Sequence, residues 1–287
     1  MKLQVWSKKI GSSVKQFKVG DRVGVGCIVD SCRECQSCKK HYEQFCDQGM
    51  VGTYNSRERA TKAPTYGGYS TQIVVDENYV LHIPESLPLE KAAPLLCAGI
   101  TTYSPLKHWN AGKGKKVGVL GLGGLGHTAV KLAKAMGAEV TVLSHSPRKA
   151  DIAKRLGADH FYSTADENTF KNSKNYFDII LNTASAELNW NEYIPLLNQD
   201  GAFVILGVSV APIAIGSLGL IFRRRALAGS LIGGIKETQE MLDFCAKHNV
   251  TPEIEIIPIT KVNQAYDTMS KGDVMNRYVI DIGSLKG

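Results

Sequence analysis

One stretch of the 287-residue sequence limits the fold more than any other: KVGVLGLGGLGHTAVKLAKAMGAEVTVLS, residues 116–144. An apolar run leads into a G-x-G-x-x-G arrangement of Gly121, Gly123 and Gly126, and a helical pattern and a second apolar run follow. This order is a complete βαβ unit, the context in which the motif is informative. The glycines permit a tight turn and let a pyrophosphate approach the backbone at the helix N-terminus. The stretch predicts a dinucleotide-binding turn, with an unliganded strand–helix turn as the alternative.

The same alternation continues beyond this unit. The apolar runs HFYS, FDIILNTA and GAFVILG are separated by helical patterns, which indicates parallel βαβ units. The first hundred residues differ, because DRVGVGCIV and GGYSTQIVVD read as strands bounded by glycines. The segment PLEKAAPLLCAGITTYSPLKHW reads as helical pieces interrupted by Pro94 and Pro105. We therefore predict an α/β protein with a Rossmann-type doubly wound parallel sheet and a β-rich domain.

The end of the second strand of this unit indicates which dinucleotide binds. Enzymes that prefer NAD usually carry Asp or Glu at this position to hold the ribose hydroxyls. This sequence has hydroxyl and basic side chains there instead, namely Ser144, His145, Ser146, Arg148 and Lys149. Hydroxyls and cations without a carboxylate favour the 2′-phosphate of NADP(H). A solvated basic helix start is the alternative.

Four cysteines near the start of the sequence indicate a metal site. Cys32, Cys35, Cys38 and Cys46 follow the spacing C-x2-C-x2-C-x7-C. Zn²⁺ accepts four tetrahedral thiolates, and a coordination sphere closed by protein stabilises a loop and leaves no position for substrate. The spacing predicts a structural zinc. An iron–sulfur cluster is a weaker alternative because neither ferredoxin spacing fits, and four unligated thiols are another.

Composition and charge exclude some classes of function. The net charge of +7 is scattered, and its one dense cluster, residues 223–225, is too short for a nucleic-acid patch. The uncharged run 201–222 has the length of a membrane span, but Pro212 and four glycines favour a sheet core and an interface. No apolar h-region follows MKLQVWSKK, so we expect no signal peptide. Seven cysteines, four of them clustered, indicate a reducing compartment such as the cytoplasm.

These motifs together resemble the cinnamyl alcohol dehydrogenase group of zinc-containing medium-chain dehydrogenases. The resemblance rests on FKVGDRVGVGCIVDSC, the four-cysteine stretch, GGYSTQIVVDE, APLLCAGITTYSPL, GLGGLGH, GSLIGG and RYVIDI. It implies a GroES-like catalytic domain over residues 1–97 and 246–287, split by a Rossmann domain over 98–245. It also implies reversible hydride transfer between NADP(H) and a primary alcohol or aldehyde, often aromatic or long-chain, in a homodimer.

The resemblance also assigns individual residues. Cys97 matches a ligand of a catalytic zinc. Cofactor contacts are implied at Thr101, Gly121, Leu122, Gly123, Gly124, Leu125, Gly126, Ser144, His145, Ser146, Arg148, Lys149, Thr183, Gly207, Ser230, Leu231 and Ile232. The uncharged run 201–222 becomes a sheet strand followed by a dimer-interface segment.

One departure from the family pattern concerns the catalytic zinc. In the family this metal takes two cysteines and a histidine, with a glutamate beside the histidine. The first cysteine and the His-Glu pair lie upstream of VGDRVG, and this sequence begins too late to contain them. We expect Cys97 alone to remain, and one thiolate does not hold a Lewis-acid zinc. None of the seven histidines lies at a matching position.

Two hypotheses follow from this departure. In the first, the chain is an NADP(H)-linked alcohol dehydrogenase by descent, and the activity of the sequence as given is open. In the second, it is a non-catalytic NADP-binding protein with one structural zinc.

Overall fold

The computed structural model describes residues 3–209, 211–270 and 277–285. The strands are β1 Leu3–Trp6, β2 Arg22–Val25, β3 Ile28–Asp30, β4 Val51–Gly52, β5 Tyr54–Arg57, β6 Pro64–Tyr66, β7 Val80–His82, β8 Lys116–Leu120, β9 Glu139–Ser144, β10 His160–Ser163, β11 Phe177–Asn182, β12 Leu197–Ile205, β13 Ala226–Gly229, β14 Ile254–Pro258 and β15 Arg277–Asp281. The α-helices are α1 Gln36–Lys39, α2 Leu89–Pro94, α3 Ile100–His108, α4 Gly124–Ala135, α5 Ala150–Arg155, α6 Glu167–Asn172, α7 Trp190–Tyr193, α8 Ser217–Ile221, α9 Ile235–His248 and α10 Val262–Ser270.

Shorter helical turns complete the secondary structure. A π-helical turn, Leu95–Gly99, joins α2 to α3. The 3-10 turns are Glu43–Phe45, Glu77–Tyr79, Pro147–Lys149, Ile194–Leu196, Ile259–Lys261 and Ile282–Leu285. The chain divides into two compact units: the first unit combines Met1–Ile100 with Ile232–Gly287, and the second unit is Thr101–Leu231.

The second unit contains one six-stranded sheet, in the order β10-β9-β8-β11-β12-β13. All five neighbouring pairs are parallel. Numbered within the sheet, this order is 3-2-1-4-5-6, which defines the doubly wound Rossmann arrangement. The predicted fold class is confirmed. The strand order reverses between β8 and β11, so the turn after β8 lies at the switch point where such sheets bind ligands.

The central strands of this sheet are buried on both faces. Residues 140–144 of β9 and 117–120 of β8 are buried without interruption, the pattern of a parallel sheet covered on both sides. Phe177, Ile180 and Phe203 pack with Trp190 in one continuous core. Each such side chain contributes about 1.5–3 kcal/mol when it is fully buried.

The first unit is built from small sheets. β1, β2 and β7 form a three-stranded antiparallel sheet, β3 pairs with β4, β5 pairs with β6, and β14 pairs with β15 in parallel. The side chain of Gln239 connects the helix α9 to β7 by hydrogen bonds to the strand backbone, such as a neighbouring strand would make. The amide of Gln239 accepts from the His82 N–H (2.9 Å) and donates to the His82 carbonyl (3.0 Å).

This contact explains a difference in the domain boundary. The sequence placed α9 and its surroundings in the Rossmann domain, up to residue 245, whereas the second unit ends at Leu231. Because Gln239 satisfies the backbone of β7, α9 lies in the first unit. A helical period in the sequence does not reveal which sheet the helix packs against.

Two local predictions are wrong. GGYSTQIVVD, residues 67–76, forms no strand, and among the described residues it has no ladder partner. Val74 within it is fully exposed, so the alternating pattern has no buried face there. Pro94 and Pro105 do not interrupt the helical segment, because the path is helical from Leu89 to His108 through the π-helical turn.

The uncharged run 201–222 forms no long helix. It covers the end of β12, a connecting segment and α8, and residue 210 lies outside the described residues. None of the helices in the described part of the chain is long and apolar enough to span a bilayer.

Candidate nucleotide-binding and metal sites

The glycine turn after β8 has the shape that a pyrophosphate requires. Gly121 has φ +88°, a conformation that glycine adopts at little cost. A β carbon on Gly126 would lie 2.1 Å from the Gly121 carbonyl oxygen, so this contact excludes any side chain. A β carbon on Gly123 would meet no atom within 4 Å, which leaves the outer side of the turn open. The turn leads directly into α4, whose first N–H groups favour an anion.

Thr183 joins the two strands at the switch point. Its hydroxyl lies 3.0 Å from the Leu120 carbonyl and 3.1 Å from the Gly121 carbonyl, and it can donate to either. Since Thr183 directly follows β11, this contact fixes the glycine turn to the neighbouring strand. The residue predicted as a cofactor contact therefore also shapes the turn itself.

The predicted phosphate-binding residues follow β9 at the same sheet edge. Ser144 ends β9 and is buried, whereas His145 and Arg148 are exposed. The Ser146 N–H donates to the Ser144 hydroxyl at 3.4 Å. The Lys149 ammonium donates to the carbonyl of Leu122 at 3.2 Å. Lys149 thus reaches the glycine turn, a contact that the sequence motif alone does not indicate.

The ends of β12 and β13 carry three more of the predicted residues. A β carbon on Gly207 would lie 2.1 Å from the Ala184 carbonyl oxygen, so the chain after β12 passes close to the chain after β11. The Ser230 N–H donates to the Ile205 carbonyl at 3.2 Å, and Leu231 beyond it is exposed. Because the carboxyl ends of parallel strands meet at one edge, these residues share the edge of the glycine turn.

Two predicted cofactor residues are not placed at this edge by any described contact. Thr101 lies in the first turn of α3, within the second unit. Ile232 belongs to the first unit and has a positive φ of 35°. Their roles stay predictions.

The four clustered cysteines converge in the first unit. The sulfur atoms of Cys32, Cys35, Cys38 and Cys46 all lie within 4.8 Å of one another. The Cys32 and Cys38 sulfurs are 3.8 Å apart. A tetrahedral zinc with Zn–S bonds of about 2.3 Å places its sulfurs about 3.8 Å apart, so the donor set fits this metal.

Backbone N–H groups prepare these sulfurs for negative charge. N–H groups at Asp47 and Cys38 lower the pKa of the Cys35 thiol to about 6. Burial raises the pKa of Cys38 to about 12, so this thiol resists ionisation in the absence of a cation. Burial alone would raise the pKa of Cys46. The Cys32 N–H donates to the Cys46 sulfur at 3.3 Å and stabilises its thiolate, and the pKa of Cys46 is lowered. A metal ion would offset the burial of Cys38.

Cys97 lies in the π-helical turn and is half-buried. The neighbouring carbonyl of Leu96 accepts from the Cys27 thiol at 3.7 Å, so a second cysteine approaches the same turn. In the described part of the chain, the four-cysteine set is the one group of three or more His, Cys, Asp or Glu side chains able to hold a metal ion. Among the residues that the structure describes, Cys97 belongs to no such group, and we assign no chemical step to a metal there.

Two contacts of the cysteine set were not predictable from the spacing. The Cys38 thiol lies 3.2 Å from the Ser31 hydroxyl, and the Arg59 guanidinium donates to the Cys46 sulfur at 3.7 Å. Ser31 directly precedes the motif, but Arg59 comes from a separate hairpin. No local pattern marks it.

The sheet order, the glycine turn at its switch point and the converging thiols define a dinucleotide-binding protein with a separate four-cysteine metal site. Two protein-family models match the chain. The model described as "Alcohol dehydrogenase GroES-like domain" matches residues 8–85, and the model described as "Zinc-binding dehydrogenase" matches residues 124–247. The chain is 61% identical over 279 residues to NADP-dependent alcohol dehydrogenase C 1 of Mycolicibacterium smegmatis. The aligned residues cover 97% of this chain and 80% of that protein.

Solved structures agree with this comparison. A cinnamyl alcohol dehydrogenase from Sorghum bicolor superposes with a TM-score of 0.95 at 42% identity, over 99% of this chain and 81% of that one. The cinnamyl alcohol dehydrogenase of Helicobacter pylori, complexed with NADP(H), gives a TM-score of 0.90 at 46% identity, over 98% and 80%. The chain belongs to the zinc-type medium-chain alcohol dehydrogenase family.

Proposed function

We propose that this protein is an NADP(H)-linked oxidoreductase that interconverts primary alcohols and aldehydes. The observation that carries the proposal is its 61% identity, over 97% of the chain, to a protein named as an NADP-dependent alcohol dehydrogenase. The protein is an enzyme whose cofactors are NADP(H) and zinc, and its substrates are small alcohols and aldehydes. Similarity to cinnamyl alcohol dehydrogenases favours aromatic or long-chain substrates. The thiol-rich composition favours a reducing compartment such as the cytoplasm.

The proposed cofactor contacts lie in the second unit. Bound NADP(H) supplies or accepts the hydride. The N–H groups of residues 121–126 and of the first turn of α4 bind its pyrophosphate. Arg148 and Lys149 bind the 2′-phosphate with charge-assisted hydrogen bonds, with Ser144, His145 and Ser146 beside them. Thr101, Thr183, Gly207, Ser230 and Leu231 provide further contacts.

The proposed zinc ligands are the four converging cysteines. The 3.8 Å sulfur separation and the N–H groups that face the sulfurs support this assignment. Four protein ligands close the coordination sphere, so this zinc stabilises the loop that carries them.

A second candidate function follows from the surroundings of Cys97. In the described residues Cys97 belongs to no group of three or more possible metal ligands. A non-catalytic NADP-binding protein with one structural zinc is therefore the competing hypothesis.

The two functions are separated by measuring zinc content and turnover on the same preparation. We expect oxidation of NADPH when an aromatic aldehyde such as cinnamaldehyde is added. An enzyme that uses Cys97 as a zinc ligand, as the family resemblance implies, should lose turnover in the variant Cys97→Ser, while NADPH affinity stays within twofold of the unsubstituted chain. One zinc per chain with normal NADPH binding and no turnover would favour the non-catalytic protein. A chain that binds no NADPH would refute both functions.

We also propose that the protein is a homodimer formed through the β13 edge. In the described chain β13 has a partner on one side only, β12. Three apolar side chains next to it in sequence are exposed, Leu218, Ile221 and Phe222, the last at 79%. An unpaired strand edge with exposed apolar residues favours association.

Light scattering at micromolar concentration tests the dimer. We expect twice the chain mass for the unsubstituted protein and a single chain mass for Phe222→Glu. The control Val74→Glu changes a fully exposed apolar residue in the first unit and should leave the mass unchanged. A single chain mass for the unsubstituted protein would contradict the dimer.

A further inference from the structure

Arg59 approaches the four-cysteine set from a different part of the chain. It lies in the turn between β5 and β6, thirteen residues after Cys46. One guanidinium nitrogen, Nη2, donates to the Cys46 sulfur at 3.7 Å and also to the carbonyl of Gly49. Its Nε lies 3.7 Å from a carboxylate oxygen of Asp30. The guanidinium therefore spans the two chain segments that flank the metal ligands.

The charge of the site gives this contact its significance. Four thiolates around Zn²⁺ leave about two net negative charges on the sulfurs. Guanidinium is always protonated, so Arg59 supplies a permanent positive charge. Its side chain is 29% exposed, and a charge pair in such a setting is screened less than one in open water. Cys46 itself is buried, so water alone does not neutralise its charge.

We propose that Arg59 is a positioning residue of the zinc site: its guanidinium neutralises charge on the Cys46 sulfur, holds the loop to Gly49, and thereby slows zinc loss. This inference rests on the proposed zinc assignment of the four cysteines. Partners of this kind, which contact a metal ligand without touching the metal, typically change metal affinity 10–100-fold when they are removed.

The same hairpin provides a matched control. Arg57 is exposed and donates to the Lys62 carbonyl at 2.9 Å, within the hairpin itself. Arg57 is the last residue of β5, so Arg57→Gln removes the same charge from the same hairpin, two residues away from Arg59. A general effect of hairpin charge or stability would therefore act in both variants, whereas contact with the ligand would act in one.

The test is the rate at which the zinc-loaded full chain transfers zinc to the chromophoric chelator 4-(2-pyridylazo)resorcinol. We expect about 10-fold faster release from Arg59→Gln, an intermediate rate from Arg59→Lys, and a change below twofold in Arg57→Gln. Lysine keeps the positive charge but lacks the planar set of donors, or fork, that a guanidinium presents. A release rate between those of Arg59→Gln and the unsubstituted chain would therefore show that the charge itself slows zinc loss. Cobalt substitution should move the sulfur-to-cobalt absorption band in Arg59→Gln and not in Arg57→Gln.

The outcomes distinguish the two proposals. Equal release rates for Arg59→Gln and Arg57→Gln would overturn the role of Arg59 and leave the zinc assignment intact. Should Arg59→Gln fail to fold, Arg59→Lys decides: a release rate equal to that of the unsubstituted chain, with an unmoved cobalt band, would contradict the need for the fork. An unsubstituted chain that contains no zinc and binds no cobalt through sulfur would refute the metal assignment itself.

Discussion

The two units hold their functional residues by different physical means. In the second unit the cofactor residues follow strands of one parallel sheet, so strand pairing brings them to a common edge. In the first unit the four cysteines lie around a four-residue helix and a 3-10 turn, which bury few apolar side chains. The nucleotide site is thus shaped by the core, whereas the cysteine loop depends on its ligands. This contrast predicts that metal removal changes the first unit, whereas substitutions around the nucleotide site change the second unit.

Metal removal should give the largest effect. Structural zinc contributes about 10 kcal/mol or more to ordering small zinc-bound segments, so a chelator should loosen residues 32–46. The Ile235 N–H, which donates to the Glu43 carboxylate at 3.0 Å, should lose protection with them, because Glu43 lies in the same loop. Hydrogen exchange measured by mass spectrometry checks this. Protection in β8, β9 and β11 should stay unchanged, and equal loss in both units would contradict the contrast.

Two glycine substitutions, one in each unit, should give the second-largest effect. A β carbon on Gly126 would lie 2.1 Å from a backbone oxygen in the second unit, and one on Gly234 would lie 1.8 Å from the His41 carbonyl in the first unit. Overpacking of this kind costs about 1–3 kcal/mol. We expect Gly126→Ala to weaken NADPH binding at least tenfold with zinc retained. Gly234→Ala should speed zinc release and leave the glycine turn intact.

Two further glycines serve as controls for this pair. A β carbon on Gly11 in the first unit would meet its nearest neighbour at 3.9 Å, and one on Gly112 in the second unit at 3.5 Å. Both are ordinary contacts, so Gly11→Ala and Gly112→Ala should change neither NADPH affinity nor zinc release. Loss of zinc in Gly126→Ala would show that the two sites are not independent.

The contrast also explains how much could be predicted from the sequence. The strands β9 and β10 coincide with the predicted runs EVTVLS and HFYS, because strands of a parallel sheet read as short apolar runs flanked by turns. The stretch GGYSTQIVVD has the composition of a strand, but a strand also needs a partner, and composition does not provide one. The cysteine spacing predicted the converging thiols, whereas the contact from Arg59 joins segments that no local pattern relates.

A carboxylate of the second unit, Asp159, should give the smallest effect on stability, and the size of that effect depends on pH. Burial opposes ionisation of Asp159, yet hydrogen bonds from the Lys134 ammonium (2.6 Å) and the Val140 N–H (2.8 Å) hold its pKa below the usual value. A lowered folded-state pKa stabilises the protein above the unfolded pKa of about 4, and this stabilisation is lost as pH falls through the folded value.

Asp159→Asn should therefore lower the free energy of unfolding at pH 7 by about 0.5–1 kcal/mol, because the pair is partly exposed. The difference from the unsubstituted chain should shrink below pH 4, as urea titrations at several pH values would measure. Asp151→Asn, which changes an exposed carboxylate of α5, is the control. A difference that grows as the pH falls would contradict the assigned sign.

The most direct test of the proposed function compares the dissociation constants of NADPH and NADH by fluorescence titration of the full chain. Hydrogen bonds between charged groups contribute about 1.5–3 kcal/mol each, and 1.4 kcal/mol corresponds to a factor of ten. We predict that NADPH binds at least tenfold more tightly, and that Arg148→Ala reduces this preference while NADH affinity stays within twofold. NADH binding as tightly as NADPH, or more tightly, would contradict the assignment of Ser144 to Lys149 as the phosphate site.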